Sequence, residues 1–340
     1  MSSTPIQRGL AKALFAAVLI AVLSPSLHGQ QSKRIPGRDV TEADLFRWIT
    51  ELSNWGKWGP DDGKGQANFI TPAKRVQAAG LVKLGITVSM EHNVLQATDP
   101  GATGTVLTRT VTTLNATNAQ DQYAYTGSYH GNNHSHWDAL CHWFSGLGGK
   151  LWNGGTVTEQ IDPVMGCLKG DIMAHKDGVL TRGILFDAAA YKGVEFLAPS
   201  TPIYWEDLEA MERLEGVKVQ PGDAIFLYTG RWKRQAAGQG NNNAAGYHAS
   251  VAQFLKDRGV AFIGSEMAQD VQPGGFAGFS SLPVHSLAIG VLGIGIFDAL
   301  DLDELTATAR RYHRYEFMFT AAPLRVPGGT GGPINPIATF

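Results

Sequence analysis

The chain has 340 residues, of which 44% are apolar and 17% are charged, and its formal net charge is −2. This composition excludes intrinsic disorder and allows a substantial core in one large domain or two closely joined lobes. Acidic and basic residues are mixed without a basic run. We therefore expect no nucleic-acid or membrane partner, and a small molecule as the ligand.

Residues 1–29 are typical of a secretory signal peptide. Arg8 and Lys12 precede an apolar run over residues 13–23, and Gly29 is a candidate for the end of the leader. The run is short for a membrane span, and no later segment reaches about 18 uninterrupted apolar residues. We expect an exported, soluble mature protein, periplasmic or secreted. The alternative is an uncleaved N-terminal anchor.

Hydrophobic periodicity predicts helices and strands after the leader, with Thr41 and Thr71 as helix-start signals. Helices are predicted over residues 40–52, 71–83, 205–214, 249–258 and 302–312. Strands are predicted over residues 85–90, 105–114, 183–186, 217–219, 224–229, 260–264 and 316–322. The second half alternates strands and helices, whereas the first half is richer in strands. We therefore expect a single domain of mixed α/β (α+β) class.

The most informative segment is residues 129–142, which holds four of the ten histidines and an aspartate. If residues 134–138 are extended, the side chains of His134, His136 and Asp138 point to one face. Imidazole with carboxylate suits Zn²⁺ or Mn²⁺ better than Ca²⁺ or Mg²⁺, which prefer oxygen ligands. The segment therefore predicts a metal site. The alternative is a set of histidines that hydrogen-bond or stack at a buried turn.

Two neighbours of this segment have separate interpretations. His142 lies four residues beyond Asp138, where an acid/base role is expected rather than ligation. Cys141 and Cys167 are the only cysteines. An exported location permits a disulfide between them, but we expect Cys141 to be a free thiol that packs beside the metal.

From about Asn54 to the C-terminus, the chain resembles the metal-dependent cyclase-type hydrolases that include bacterial kynurenine formamidase and isatin hydrolase. The main carrier is the sequence HWDALCH at residues 136–142, which is similar to the family's His-x-Asp-x-x-x-His core. Further matches lie at residues 151–154, 182–187, 221–223, 228–230, 246–250, 282–285 and 323–329. The combination is specific, although several pieces alone are weak.

The resemblance implies a single-domain swivelling β/β/α fold over residues 53–340, preceded by an N-terminal extension over residues 30–52. It implies that His136, Asp138 and His285 bind one or two divalent ions and that His142 is the catalytic acid or base. A carboxylate is expected shortly after His285, and Asp298 is the nearest candidate. The resemblance also implies a homodimer or homotetramer.

In formamidase-like members a further histidine stands four residues before the His-x-Asp pair, and that position here is Asn132. Several substitutes are open. His134 or His130 takes that role, the Asn132 carbonyl oxygen binds, or one metal of a two-metal site is lost. Glu266 follows a predicted strand and either supports a ligating histidine or forms an ion pair.

The predicted activity is hydrolysis of a C–N or C–O bond in a small amide, lactam or lactone by metal-activated water. Five tryptophans near these motifs offer a flat surface for an aromatic or cyclic substrate or, alternatively, pack in the core: Trp55, Trp58, Trp137, Trp143 and Trp152. The alternatives are an exported, non-catalytic metal- or ligand-binding protein and an oxygen-dependent redox enzyme.

Overall fold

The computed structural model describes residues 1–2, 34–99, 104–240 and 242–340. Almost all of the predicted signal peptide therefore lies outside the described residues, and export stays a prediction. Residues 35–340 form one compact unit, and residues 1–34 are assigned to a separate one. No described helix combines the length and the apolar character that a membrane crossing needs.

The larger unit contains short strands and helices. The strands among the described residues are β1 (Thr87–Ser89), β2 (Leu107–Leu114), β3 (Ala119–Tyr125), β4 (His136–Asp138), β5 (Ile161–Asp162), β6 (Gly166–Cys167), β7 (Val179–Asp187), β8 (Pro202–Ile203), β9 (Ala224–Tyr228), β10 (Gly246–Tyr247), β11 (Phe262–Ser265), β12 (Gly295–Asp298), β13 (Glu316–Ala321), β14 (Gly331–Pro333) and β15 (Ile337–Thr339). The α-helices are α1 (Glu42–Glu51), α2 (Pro72–Ala79), α3 (Val157–Gln160), α4 (Ala188–Tyr191), α5 (Trp205–Leu214), α6 (Arg231–Ala236), α7 (Val251–Arg258), α8 (Pro283–His285) and α9 (Asp303–Tyr312). A π-helix, Ser286–Leu292, continues directly from α8.

Nine of these strands form one mixed sheet in the order β1-β15-β13-β7-β9-β11-β12-β4-β14. The inner strands β7, β9, β11 and β12 are parallel to one another. The short strands β4 and β14 continue the sheet beyond β12 in antiparallel pairs. The mixed α/β single domain predicted from the sequence is confirmed.

The sheet is buried on both faces, as the nearly continuous apolar inner strands require. Along β7, Ile184 and Phe186 pack into one core cluster and Leu185 packs into the other. The first cluster includes side chains of α1, α5, α7 and the π-helix. The second includes side chains of α9 and the aromatic residues of β13. Helix α1 lies within the predicted N-terminal extension, and its Leu45 and Trp48 belong to the first core cluster. Where the hydrolase domain begins stays a prediction.

The helix-start signals act as the sequence predicts. Thr41 caps α1 and forms a capping box with Asp44, and Thr71 caps α2. Helix α5 spans the predicted residues 205–214. The predicted strand over residues 217–219 does not form, because Glu212 at the end of α5 accepts the Val219 backbone N–H instead.

Glu215, at the end of α5, makes stability depend on pH. One of its oxygens accepts the Asp187 backbone N–H, and the other is buried and has no hydrogen-bond partner among the described residues. Burial raises the pKa of this carboxyl from about 4.5 to about 8. Its contribution to folding is fully present below pH about 4.5 and is lost as the pH rises towards about 8.

We expect Glu215→Gln to raise the melting temperature by a few degrees at pH 9 and to change it little at pH 4, because glutamine stays neutral at both. Thermal unfolding of both proteins between pH 4 and pH 9 measures the difference. An equal offset at all pH values would contradict the expectation.

Candidate metal centre

Strand β4 brings two of the predicted ligands into the interior. It lies between β12 and β14, with His136 opposite Asp298 and Asp138 opposite Ile296. Because side chains alternate along a strand, His136 and Asp138 share a face. Trp137 points to the other face and is fully buried in the core. The sequence therefore places a carboxylate and an imidazole side by side in a region with little access to water.

Four histidines surround the Asp138 carboxylate. Nδ1 of His130 lies 2.8 Å from Oδ1, and Nε2 of His136 lies 3.6 Å from the same oxygen. Nε2 of His142 and Nε2 of His285 each lie 3.8 Å from Oδ2. The rings of His130 and His142 stack with their centroids 3.8 Å apart. Asp138 is therefore the centre of the cluster.

Asp298 joins the cluster from β12, next to His285. Its Oδ2 lies 3.1 Å from Nε2 of His285, and its Oδ1 accepts a hydrogen bond of 2.7 Å from the side-chain amide of Gln269. Asp270 lies on the other side of the imidazole, with Oδ2 2.7 Å from Nδ1 of His285. The Val284 backbone N–H donates to the second oxygen of Asp270. This arrangement fixes the ring with Nε2 towards Asp298 and Asp138, as outer partners do for metal-binding histidines.

A similar contact orients His136. Its Nδ1 lies 2.7 Å from the backbone carbonyl oxygen of His134. A carbonyl only accepts hydrogen bonds, so Nδ1 carries a proton and Nε2 is the nitrogen directed at Asp138. The two ring nitrogens thereby have different roles, one structural and one directed at the centre.

The surroundings shift the pKa values of three residues of the cluster. Burial acts to raise the pKa of Asp138, but the charges of His142 and His136 lower it below its ordinary value. Burial acts to lower the pKa of His285, but the Asp298 and Asp270 carboxylates raise it well above its ordinary value. Burial lowers the pKa of His142 to about 4, although Asp138 opposes this shift. His142 is therefore a neutral base at pH 7.

Both oxygens of Asp138 are buried, and within the described chain no group other than His130, whose Nδ1 lies 2.8 Å from Oδ1, comes into position to hydrogen-bond to them. A buried carboxylate without a partner is strongly destabilising unless a cation balances it. Two residue groups have ligand atoms within 4.8 Å of one another: His130 with Asp138 and His142, and His136 with Asp138 and Asp298. Imidazole and carboxylate donors suit a divalent cation such as Zn²⁺ or Mn²⁺. The residues present therefore fit a metal ion.

The structure does not bring His134 to this cluster. Its Nε2 lies 2.9 Å from the backbone carbonyl oxygen of Thr105, and its ring packs edge-on against Tyr125. The expected alternation fails because β4 begins at His136, so His134 belongs to the preceding loop. His130, from the same loop, lies beside Asp138 instead. Of the predicted site residues, His136, Asp138, His142, His285 and Asp298 come together.

The expected free thiol at Cys141 is wrong. Cys141 forms a disulfide with Cys167, and both residues are buried. The sequence reasoning missed the pair because Cys167 lies on the short hairpin of β5 and β6, which no periodicity indicated. The bond anchors the segment between Asp138 and His142 to this hairpin.

Asp270 and Gln269 are site residues that the sequence reasoning missed. They lie more than a dozen residues before His285 and Asp298, respectively, and neither belongs to a motif. Glu266 does not support a ligating histidine among the described contacts. Its carboxylate accepts hydrogen bonds from the backbone N–H groups of Thr229, Gly230 and Arg231.

Of the five tryptophans predicted near the site, only Trp143 contacts the histidine cluster in the described contacts. Trp143 contacts it, with its ring centroid 5.8 Å from that of His285 and its indole N–H donating to Ser286. Trp137 is a core residue, as are Trp55, Trp58 and Trp152, which pack in or against the first core cluster. Tyr129, which the sequence analysis did not single out, lies 4.4 Å from His130 between ring centroids.

A family model described as "Putative cyclase" matches residues 76–269, which is more than half of the sequence, and the chain therefore belongs to this family. The solved structure of a protein described as a novel cyclase has 28% sequence identity to it. That match covers 85% of this chain and all of the other, with a TM-score of 0.73. The family predicted from the sequence is confirmed.

Isatin hydrolases share the fold at lower identity. Isatin hydrolase A from Labrenzia aggregata, solved with benzyl benzoate bound, is 18% identical. The match covers 77% of this chain and 94% of that one, with a TM-score of 0.53. Isatin hydrolase A from Ralstonia solanacearum is also 18% identical over 77% of this chain and 93% of that one, with a TM-score of 0.50. No curated protein sequence matches the chain.

We expect Asp270→Asn to weaken divalent-metal binding by about 10- to 100-fold, because a changed outer partner no longer fixes the His285 ring and its proton. Chelator competition with Zn²⁺ measures the affinity. Asp171→Asn is the matched control, since Asp171 also accepts a backbone N–H, from Gly328, without contacting a ligand. Equal affinities for Asp270→Asn and the unchanged protein would contradict the role of Asp270.

Proposed function

We propose that the protein is a metal-dependent hydrolase that cleaves a C–N or C–O bond of a small amide, lactam or lactone. The observation that carries the proposal is the buried Asp138 carboxylate, which four histidines surround and which accepts no hydrogen bond from any other described residue. Membership of the cyclase family and the shared fold of the isatin hydrolases support the same reaction class.

A divalent cation held by these residues would supply an acidified water nucleophile and a Lewis acid for the substrate carbonyl. His142 is the proposed acid/base. Its pKa of about 4 leaves Nε2 free to accept a proton at pH 7, and this nitrogen lies 3.8 Å from Asp138. The same ring can then donate the proton to the departing nitrogen or oxygen. Its stacking on His130 fixes the plane in which Nε2 moves that proton.

The proposed substrate is aromatic or cyclic. Tyr129 and Trp143 lie on two sides of the centre and are only partly buried, so their rings can pack against a flat molecule. A cavity of about 270 Å³ is lined by Tyr129, His130 and the residues that follow them, to His134. Because His130 lines it, the cavity adjoins the centre and is the proposed place for part of a small organic substrate.

We also propose that the protein is exported and acts as a homodimer or homotetramer. The disulfide between Cys141 and Cys167 supports export, because disulfides persist in oxidising compartments. The oligomeric state rests on the resemblance alone.

We expect His142→Ala to retain bound metal and to lose turnover by about 10²- to 10⁴-fold, the usual contribution of general acid/base catalysis. A hydrolysis screen over formamides, lactams and lactones, with and without chelator, measures turnover, and metal analysis measures occupancy. His313→Asn is the control, because His313 is exposed at the end of α9 in a left-handed conformation that asparagine tolerates.

Full turnover by metal-loaded His142→Ala would refute the proton-transfer role. A metal-loaded protein without chelator-sensitive hydrolysis of any class in the screen would instead favour a non-catalytic binding protein.

A further inference from the structure

Arg231, at the start of α6, is a buried cation that joins three segments of the chain. Only 2% of its surface is exposed. Nη1 donates to the backbone carbonyl oxygen of Glu266 at 2.5 Å, and Nη2 donates to the backbone carbonyl oxygen of Asn132 at 2.5 Å. One guanidinium group therefore connects the end of β11 to the loop that precedes β4.

The backbone at Arg231 is also held in place. The Glu266 carboxylate accepts hydrogen bonds from the backbone N–H groups of Thr229, Gly230 and Arg231, and from the Thr229 hydroxyl. The guanidinium also lies over the Trp232 ring, 4.1 Å from its centroid. These contacts hold the planar group in one position, so the carbonyl of Asn132 meets a rigid donor.

The loop that precedes β4 has no regular secondary structure between residues 127 and 134, yet it carries His130 to the centre. Nε2 of His130 lies 3.0 Å from the Thr330 hydroxyl, and Nδ1 lies 2.8 Å from Asp138. Nδ1 is buried and, apart from Asp138, has no hydrogen-bond partner in the described chain. It faces Oδ1 of Asp138, which no described group other than His130 approaches in a hydrogen bond, so an imidazole nitrogen and a carboxylate oxygen converge where a cation would be bound by both.

We propose that His130 is a metal ligand and that Arg231 is the positioning residue that places it. The inference rests on the proposed metal centre and goes beyond it, because it assigns the position of His130 to a guanidinium that holds the backbone of Asn132. Its effect passes through the backbone of Asn132, two residues from His130. Lysine cannot replace it fully, since an ammonium group lacks the planar fork that reaches both carbonyls.

The same loop offers a rival donor. The side-chain Oδ1 of Asn132 is buried and has no hydrogen-bond partner in the described chain. If Asn132 were the ligand, Arg231 would still position the loop, but His130 would not carry the effect. The two residues therefore need separate variants.

A double-mutant cycle tests the proposal. Zn²⁺ affinity is measured by chelator competition for the full-length protein and for Arg231→Lys, His130→Ala and the double variant. We expect each single variant to lose about 10- to 100-fold in affinity, as for ligands and their outer partners. The double variant should bind about as well as His130→Ala, because Arg231 acts through that ring. Additive losses would overturn the positioning role.

Further measurements separate ligation from general weakening. The visible spectrum of bound Co²⁺ should change in His130→Ala and stay unchanged in Asn132→Ala, and the opposite result would assign the ligand to Asn132.

Arg310→Lys is the matched control for Arg231→Lys, because Arg310 makes a two-hydrogen-bond pair with Asp187 instead. It should lower the melting temperature and leave Zn²⁺ affinity unchanged. A loss of affinity in this control equal to that of Arg231→Lys would make the effect one of stability.

If Arg231→Lys does not fold, Thr229→Val loosens the same support by removing one donor to Glu266. It should weaken Zn²⁺ binding several-fold in the unchanged protein and not at all in His130→Ala. An effect of equal size in both backgrounds would refute the proposal. A separate variant, Asp138→Asn, tests the metal centre independently of the positioning role of Arg231. Retention of Zn²⁺ by Asp138→Asn would overturn the metal centre.

Discussion

The burial of the Asp138 carboxylate is the constraint on which the rest of the site depends. A negative charge in a dry interior is costly unless a cation or hydrogen-bond donors balance it, and His130 is the one described residue placed to hydrogen-bond to either oxygen. The surrounding groups are imidazoles that each turn one ring nitrogen inwards. A backbone carbonyl holds the other nitrogen of His136, and Asp270 holds that of His285. The folded chain thus holds a negative charge at Asp138 that a bound cation would balance.

The sheet explains why the deficit occurs there. The inner parallel strands end at one edge, and the residues at or just after the ends of β9, β11 and β12 are Thr229, Glu266 and Asp298. Open α/β sheets place their sites at this edge. Strand β4 pairs with β12 in the antiparallel direction, so that His136 lies opposite Asp298 at the carboxyl end of β12. The end of β12 therefore supplies a candidate ligand, Asp298, and the ends of β9 and β11 supply Thr229 and Glu266, which lie beside Arg231.

The sequence predicted the parts of this arrangement that are local. Alternation placed His136 and Asp138 on one face, and helix capping located the start of α1. The resemblance, rather than local pattern, indicated His285 and Asp298. The rest depends on contacts between distant segments. Asp270 becomes a partner of His285 only when α8 packs against it. His130 and His134 lie in the same loop, and no local pattern shows which of the two reaches Asp138. Strand β14 was missed because its Gly-Gly-Pro sequence has weak strand propensity and forms a strand only through its pairing with β4.

Two different restraints hold the flanks of β4, and their combination has a physical logic. On the C-terminal side, the disulfide at Cys141 fixes the residue next to His142 covalently. On the N-terminal side, the Arg231 guanidinium fixes the backbone two residues after His130. The rings of His130 and His142 stack on each other, so a shift of either flank would move both imidazoles away from Asp138. A three-residue strand alone orders few side chains, and the restraints on both sides therefore give the short β4 segment the rigidity that a precise ligand geometry needs.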